Sequence, residues 1–227
     1  MSFNQIVITK DAGDCYCSII YEKEGGIPER KPLSSDNSVG IDLGIEKFAT
    51  LSGGTVIENP LFINKVEKRI KKLHREVSRK HKGSNNRRKA IVKLQRNYRN
   101  LRNMRRDFLD KVSTAIAKQY DTIIMEHLNI QGMQQNHHIA KSITDASFHN
   151  FKQKLSYKSE KYGKNLVEIG RFDPSSKLCS RCGNIKKIGL IKVGPVQSES
   201  TPVETATSIL YGYIPYRQVS VSESGSS

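Results

Sequence analysis

Two short apolar segments of the sequence each end in a single carboxylate. Residues 38–43 read SVGIDL, which predicts a buried strand with Asp42 at its end, and Gly44 permits a turn into a second strand over 47–52. Residues 120–126 read YDTIIME, which predicts another buried strand, with Glu126 at its end. In a parallel pairing the two carboxylates would meet at one edge of a sheet, as the first ligands of a divalent-metal site.

Two other interpretations of Asp42 stay open on the first segment alone. An aspartate at a strand end is often only the cap of a turn, and actin-like ATPases begin with a similar strand. An ATPase also needs a second phosphate-binding motif, and the sequence contains none, so this interpretation is discounted. A metal-dependent nuclease uses such acids to hold Mg²⁺ or Mn²⁺ ions that activate water and stabilise the leaving oxygen of a phosphodiester.

The positive charge of the chain is concentrated in one segment. The formal net charge is +16, and residues 65–106 contain eighteen Lys and Arg against two Glu, so this segment carries the whole excess. A solvated helix face usually mixes both signs, whereas a concentrated positive field suits a polyphosphate partner. We therefore predict a nucleic acid as the partner, and its candidate contacts are Lys68, Lys72, Arg75, Arg79, Arg87, Arg88, Lys89, Lys93, Arg96 and Arg99.

The basic segment lies within a predicted helical hairpin. Apolar residues repeat with a helical period over 61–119, and the turn sequence GSNN at 83–86 divides this run into two antiparallel helices. Before it, a strand hairpin with its turn at 10–14, a linker over 24–37 and strands between 38 and 58 are predicted.

After the second carboxylate the sequence predicts three more segments. Residues 129–143 read as a polar loop, 148–162 as a basic amphipathic helix and 165–169 as a last strand. The fold class predicted from this order is α/β, with a mixed sheet and an inserted basic helical hairpin.

The cysteines suggest a partial zinc site. Cys179 and Cys182 form a Cys-x-x-Cys pair, the spacing with which two thiolates grip one zinc ion. A structural zinc site needs four ligands, no second pair follows, and the spacing of the histidines does not complete the set. Cys15 and Cys17 fall on one face of a predicted strand and read as core or surface residues.

Targeting signals are not found in the sequence. It contains neither a signal peptide nor an apolar run long enough to span a bilayer, so we expect a cytoplasmic protein with no membrane partner. In that compartment the cysteines are not expected to form a disulfide framework.

The order of these segments resembles one known family. The strand VGIDLG at 39–44, the basic helical hairpin, the segment IIMEHL at 123–128 and the stretch from Phe172 to Gly183 follow one another as in the OrfB (TnpB) proteins of bacterial and archaeal insertion sequences. The resemblance covers roughly residues 5–187. Members of that family are RNA-guided DNA endonucleases related to the type V CRISPR effectors. The resemblance therefore implies an RNase H-like (RuvC-like) fold, Mg²⁺ or Mn²⁺ as cofactor, and DNA and a guide RNA from the element as partners.

The resemblance also assigns roles to four residues. Asp42 and Glu126 match the first and second catalytic carboxylates, and Cys179 and Cys182 match the first pair of zinc cysteines. In the family a second cysteine pair and a third catalytic aspartate follow, whereas here residues 184–187 run directly into an apolar stretch with neither. We expect from this an impaired endonuclease with Zn²⁺ at most in an incomplete site. The alternative is a non-catalytic nucleic-acid-binding remnant of a decayed insertion element.

The same resemblance divides the chain into four parts. Residues 1–35 correspond to the last strands of an N-terminal nucleic-acid-binding barrel and a linker, and residues 36–170 to the RuvC-like domain with its helical hairpin. Residues 171–187 correspond to half of a zinc ribbon. Residues 188–227 are expected to form a weakly ordered tail, because the sequence there is rich in Ser, Thr, Pro and Val.

Overall fold

The computed structural model describes residues 3–22, 25–33, 37–128, 135 and 140–169. The strands within these residues are β1 (Phe3–Asp11), β2 (Asp14–Tyr21), β3 (Ser38–Leu43), β4 (Lys47–Leu51), β5 (Val56–Glu58), β6 (Thr122–Glu126) and β7 (Asn165–Ile169). The helices are α1 (Phe62–Ser78), α2 (Asn85–Gln119), α3 (Ala140–Ala146) and α4 (Phe148–Lys161). The predicted α/β class is confirmed.

The chain divides into two compact units, each assembled from two stretches of sequence. The helical unit comprises Met1–Gly26 and Leu61–Lys111, and so contains β1, β2, α1 and most of α2. The sheet unit comprises Ile27–Pro60 and Val112–Ser227, and so contains β3 to β7, the last turns of α2, and α3 and α4. The chain therefore leaves the sheet unit after β5 and re-enters it along α2.

The sheet unit is built on one mixed sheet, as predicted, with the strand order β5-β4-β3-β6-β7. β3, β4 and β5 form an antiparallel meander, whereas β6 and β7 run parallel to β3. The interior strands are covered on both faces, so Val39, Ile41, Ile123 and Ile124 are at most 1 % exposed. This covering explains why β3 and β6 read as continuous apolar runs rather than as alternating ones.

α1 and α2 are the predicted helical hairpin, and the break between them covers residues 79–84, which include Gly83 and Ser84 of the predicted turn sequence. Ser84 Oγ accepts a hydrogen bond from Arg87 N at 3.2 Å, which satisfies one of the free N–H groups at the start of α2. The rings of Phe62 on α1 and Phe108 on α2 pack edge to face with centroids 6.0 Å apart. The predicted apolar stripes are therefore packing surfaces, and the basic side chains remain largely on the outside.

β1 and β2 form the predicted strand hairpin. The two-residue turn consists of Ala12 and Gly13, whose φ angles of 51° and 93° are those a tight hairpin turn requires. Cys15 and Cys17 lie on one face of β2 as exposed free thiols, so of the two predicted alternatives, core or surface, they are surface residues.

One element differs from the prediction. The sequence predicts a polar loop through residue 143, but α3 already begins at Ala140. Ile143 and Ala146 of this helix are buried in the sheet unit. Seven residues make only two turns, too few for a helical period to be recognised, so packing rather than local sequence determines this helix.

The linker before β3 is held against the start of β7. Lys31 N donates to Gly163 O at 3.3 Å, and Lys31 Nζ lies 3.0 Å from Asp121 Oδ2. Asp121 also accepts a hydrogen bond from Lys164. These two ammonium groups hold the pKa of Asp121 well below its usual value, so the carboxylate stays charged and ties the linker to the sheet.

Gly163 is expected to be essential to this attachment. Its φ is +63°, and a Cβ added there would lie 2.7 Å from Glu29 O, so Gly163→Ala should lower the free energy of unfolding by about 2–4 kcal/mol. The matched control is Gly83→Ala, where φ is +83° but no atom lies within 4 Å, so only the backbone strain of about 1 kcal/mol applies. Urea unfolding followed by circular dichroism measures both, and equal losses would contradict the close contact.

Candidate functional site

β3 and β6 place Asp42 and Glu126 side by side. Their parallel pairing aligns Ile41 with Met125, so the two carboxylates lie one residue further along, on neighbouring strands. Paired strands are about 4.8 Å apart, and side chains at matched positions point to the same face. The structure thus brings together the two acids that the sequence predicts at one sheet edge, and their catalytic role stays a prediction.

The turn that follows Asp42 is fixed by the backbone. Gly44 N donates to Phe48 O at 3.2 Å, which closes the turn between β3 and β4. A Cβ on Gly44 would lie 3.0 Å from Lys47 O, so the turn is too tight for a larger residue without a shift. On β4, Thr50 pairs with Asp42 and is 2 % exposed. Asp42 therefore sits on a strand held on both sides, by β4 and by β6.

The surroundings of Asp42 favour its protonated form when no cation is bound. Burial and then the negative charge of Glu126 raise the pKa of Asp42 to about 6. A divalent cation beside the pair would have the opposite effect, because a positive charge favours ionised carboxylates. Carboxylate oxygens are also the ligands that Mg²⁺ and Mn²⁺ prefer, so the donor set fits these ions.

We expect the metal-free protein to lose stability as the pH rises through about 6. The folded-state pKa of Asp42 lies above the ordinary value of 3.8, so its contribution to stability is complete below pH 3.8 and is lost as the pH passes about 6. The loss should be about 1–2 kcal/mol, because solvent reaches part of the carboxylate and screens it. Asp42→Asn should remove this loss. Urea unfolding of the wild type and of Asp42→Asn in a chelating buffer, below and above this pKa, measures the loss. Identical pH profiles of stability for the two proteins would refute the prediction.

A hydrogen-bonded cluster follows Glu126 in the chain. His127 N donates to Ile169 O at 3.1 Å, which extends the pairing of β6 with β7. Glu168 Oε2 accepts hydrogen bonds from His127 Nδ1 at 3.1 Å and from Lys152 Nζ at 2.6 Å. Partial burial raises the pKa of Glu168, but these two bonds outweigh it and hold the pKa below its usual value. The cluster secures the strand end that carries Glu126.

Sequence reasoning did not single out this cluster. The available signal was Glu168 itself, a charged residue in the otherwise uncharged strand NLVEI. Its partners His127 and Lys152 lie 41 and 16 positions away in the chain, on other elements, so no local pattern points to them.

The predicted nucleic-acid contacts all lie in the helical unit. Lys68, Lys72, Arg75 and Arg79 are on α1 or its first following residue, and the others are on α2. Lys93 lies 3.7 Å from Glu76, so its charge is partly offset. Arg96 and Arg99 contact the β1–β2 turn, and contact of any of these residues with nucleic acid stays a prediction.

Three arginines of α2 contact the β1–β2 hairpin at its turn, and we call them the arginine clamp. They are Arg96, Arg99 and Arg102. Arg99 Nη2 lies 2.7 Å from Asp14 Oδ2, and Nη1 donates to Asp11 O at 2.9 Å and to Tyr16 Oη at 2.8 Å. The Arg99 side chain is 14 % exposed. Arg96 Nε donates to Ala12 O, and Arg102 pairs with Asp11. The clamp thus docks the strand hairpin on α2.

The zinc prediction concerns residues outside the described ranges. Cys179, Cys182 and Asp173 all lie beyond residue 169, as do the predicted half zinc ribbon and tail. Within the part of the chain that the structure describes, no group of three or more His, Cys, Asp or Glu could hold a metal ion. Among the helices of that part, none is both long and apolar enough to cross a membrane.

Comparison with known proteins identifies relatives of both units. Residues 18–137 match OrfB_IS605, described as "Probable transposase", and residues 148–202 match "Cas12f1-like, TNB domain". A "Putative RNA-guided DNA endonuclease" of Streptomyces pristinaespiralis is 41 % identical over 149 residues, which is 66 % of this chain and 37 % of that protein. The "Putative RNA-guided DNA endonuclease InsQ" of Escherichia coli (strain K12) is 32 % identical over 197 residues, which is 80 % of this chain and 48 % of that protein.

A solved structure shares the fold. The protein in "Cryo-EM structure of the Cas12f1-sgRNA-target DNA complex" superposes with a TM-score of 0.50 at 17 % identity, over 82 % of this chain and 40 % of that chain. This chain therefore spans less than half the length of the relatives named here. The OrfB_IS605 match extends over more than half of the present sequence. The chain belongs to the OrfB (TnpB) family of insertion-sequence proteins.

Proposed function

We propose that the chain carries the metal site and the nucleic-acid-binding helices of an RNA-guided DNA endonuclease with a RuvC-like sheet. The observation that supports this most directly is the parallel alignment of β3 with β6, which sets Asp42 and Glu126 side by side at one sheet edge. Relatives at 41 % and 32 % identity bear the name of that activity. The concentration of positive charge in residues 65–106 supports RNA and DNA as partners.

In this proposal Asp42 and Glu126 hold Mg²⁺ or Mn²⁺. When bound, such an ion supplies an activated water and neutralises charge that develops on the scissile phosphate. The protein contributes rigid placement of the ligands: Thr50 on β4 and the tight turn at Gly44 flank Asp42. The bond from His127 N to Ile169 O secures the strand end at Glu126. Preorganised ligands lose little free energy to reorganisation when substrate binds.

The same proposal assigns Cys179 and Cys182 to zinc. Two thiolates fill half of a tetrahedral site, so the zinc would need two further ligands.

A second candidate function is binding without cleavage. It is favoured by the sequence, in which residues 184–187 run directly into an apolar stretch without the third carboxylate that the family resemblance leads one to expect. A remnant of this kind would still bind nucleic acid through the helical unit.

One experiment separates the two functions. The full chain, expressed with RNA transcribed from its own element, is incubated with matching target DNA in Mg²⁺ or Mn²⁺. Cleavage that requires both the RNA and the metal supports the endonuclease. Retention of RNA and DNA with no cleavage at saturating metal supports the binding remnant, and failure to retain either nucleic acid refutes both.

A further inference from the structure

Two thiols of the strand hairpin take no part in the site described above. Cys15 and Cys17 are exposed free cysteines, and both belong to β2. They are two positions apart in the strand, so their side chains stand on the same face. An ion from solvent can therefore reach both sulfurs at once without any movement of the backbone.

The residue between the two cysteines determines where this face points. Tyr16 Oη accepts a hydrogen bond from Arg99 Nη1 at 2.8 Å, and Arg99 Cζ lies 5.8 Å from the centre of the Tyr16 ring. Tyr16 is thus held toward α2. Because successive side chains of a strand alternate between its faces, Cys15 and Cys17 point away from α2.

The spacing of the two thiols suits a shared ion better than a disulfide bond. Residues two positions apart in a strand have Cα atoms about 6.7 Å apart, and side chains on one face keep a similar spacing. A disulfide needs Cβ atoms about 3.5–4.5 Å apart and sulfurs in covalent contact. Two thiolates that share an ion, each at about 2.3 Å from it, lie as much as about 4.6 Å apart. Side chains in strands lean along the strand direction, so rotation about χ1 can bring the sulfurs to that separation.

The residues across the hairpin favour an anionic complex at this place. Lys10 on β1 pairs with Cys15, and Ile8 pairs with Cys17. Side chains that are directly opposite have Cβ atoms about 4.5–5.5 Å apart, so the Lys10 ammonium stays near Cys15. Two thiolates around a monovalent ion carry a net charge of −1, which this ammonium offsets.

We infer that Cys15 and Cys17 form a chelating site for Cu(I) on the outer face of the strand hairpin. Thiolates are soft ligands that select Cu(I), and this ion accepts a coordination of two, whereas a structural zinc ion uses four ligands. Binding replaces the thiol protons, so up to two protons are released for each ion. The site does not depend on the proposed function, because the two cysteines belong to the helical unit and the two carboxylates to the sheet unit.

The test uses the full chain with Cys179→Ser and Cys182→Ser as background, so that Cys15 and Cys17 are the cysteines that remain. The relocated variant adds Cys17→Ser and Ser18→Cys to this background. It has the same number of thiols, but they now stand on opposite faces of β2. Circular dichroism verifies that both proteins are folded. Each is titrated with Cu(I) under anaerobic conditions against the coloured chelator bicinchoninate.

The background protein should bind one Cu(I) per chain, and the relocated variant should bind it at least about a hundredfold more weakly, because loss of a ligand exceeds the 10–100-fold cost of losing a supporting residue. Cys17→Ser alone should show the same loss, which provides a second variant should the relocated one fail to fold. Equal affinities in the background and the variants overturn the inference. One Cu(I) per two chains, with a doubled mass in light scattering, overturns the single-chain site. Zn²⁺ that displaces Cu(I) at equal concentration overturns the assignment to a soft monovalent ion.

Discussion

Asp42→Ala should weaken Mn²⁺ binding by at least about a hundredfold. Loss of a residue that merely supports a ligand costs roughly 10–100-fold in metal affinity, so loss of a charged ligand should exceed that range. Under the proposed endonuclease function, any RNA-guided cleavage should fall by about a thousandfold or more, because several kcal/mol of stabilisation of the scissile phosphate would depend on the ion. Isothermal titration with Mn²⁺ measures the first effect without any need for turnover.

Asp121→Asn is the matched control for this experiment. Asp121 precedes β6, whereas Glu126 ends it, so the two carboxylates lie at opposite ends of the same strand. The control removes a charge that Lys31 and Lys164 surround, and it should lower stability without changing Mn²⁺ affinity. Equal affinities in wild type and Asp42→Ala would place the metal elsewhere and remove the basis of the proposed chemistry.

Arg99→Ala should release the strand hairpin from α2. The side chain makes charged hydrogen bonds to Asp14, Asp11 O and Tyr16 while only 14 % exposed, so its loss should destabilise the docked hairpin more than the loss of an exposed arginine would. Hydrogen exchange of the β1 and β2 amides should accelerate accordingly, because an isolated two-stranded hairpin is at best marginally stable.

Arg102→Ala provides the comparison within the arginine clamp. Arg102 also pairs with Asp11, but its side chain is 63 % exposed, so the expected loss is at most about 1 kcal/mol. If both substitutions accelerate exchange equally, burial of Arg99 is not what docks the hairpin.

The parts of the fold that the sequence predicts are those with a local signature. β3 and β6 are apolar runs ended by Asp42 and Glu126, and the break between α1 and α2 contains Gly83 and Ser84, residue types that favour turns. The meeting of the two carboxylates could then be predicted from one rule, which is that parallel strands such as β3 and β6 have their carboxyl ends at the same edge of a sheet.

The parts that the sequence does not predict depend on contacts between distant residues. The charge pattern of α2 does not distinguish Arg99, which pairs with Asp14, from an arginine that faces solvent. The residues that bind Arg99 lie more than 80 positions away in the chain, so no local pattern indicates them. The cluster of His127, Lys152 and Glu168 and the short helix α3 likewise arise only when the sheet unit packs. The assignments of Cys179 and Cys182 stay predictions.

In the proposed function, the pairing of β3 with β6 also links metal binding to the folding equilibrium. Asp42 and Glu126 are separated by 84 positions in the chain, with all of α1 and α2 between them, so an unfolded chain does not hold them together. An ion that needs both ligands binds the native state selectively and raises its stability by RT ln(1 + [M]/Kd), or about 2.7 kcal/mol at a hundred times Kd. The melting temperature of the chain should therefore report occupancy of the two-carboxylate site, whether or not the protein cleaves DNA.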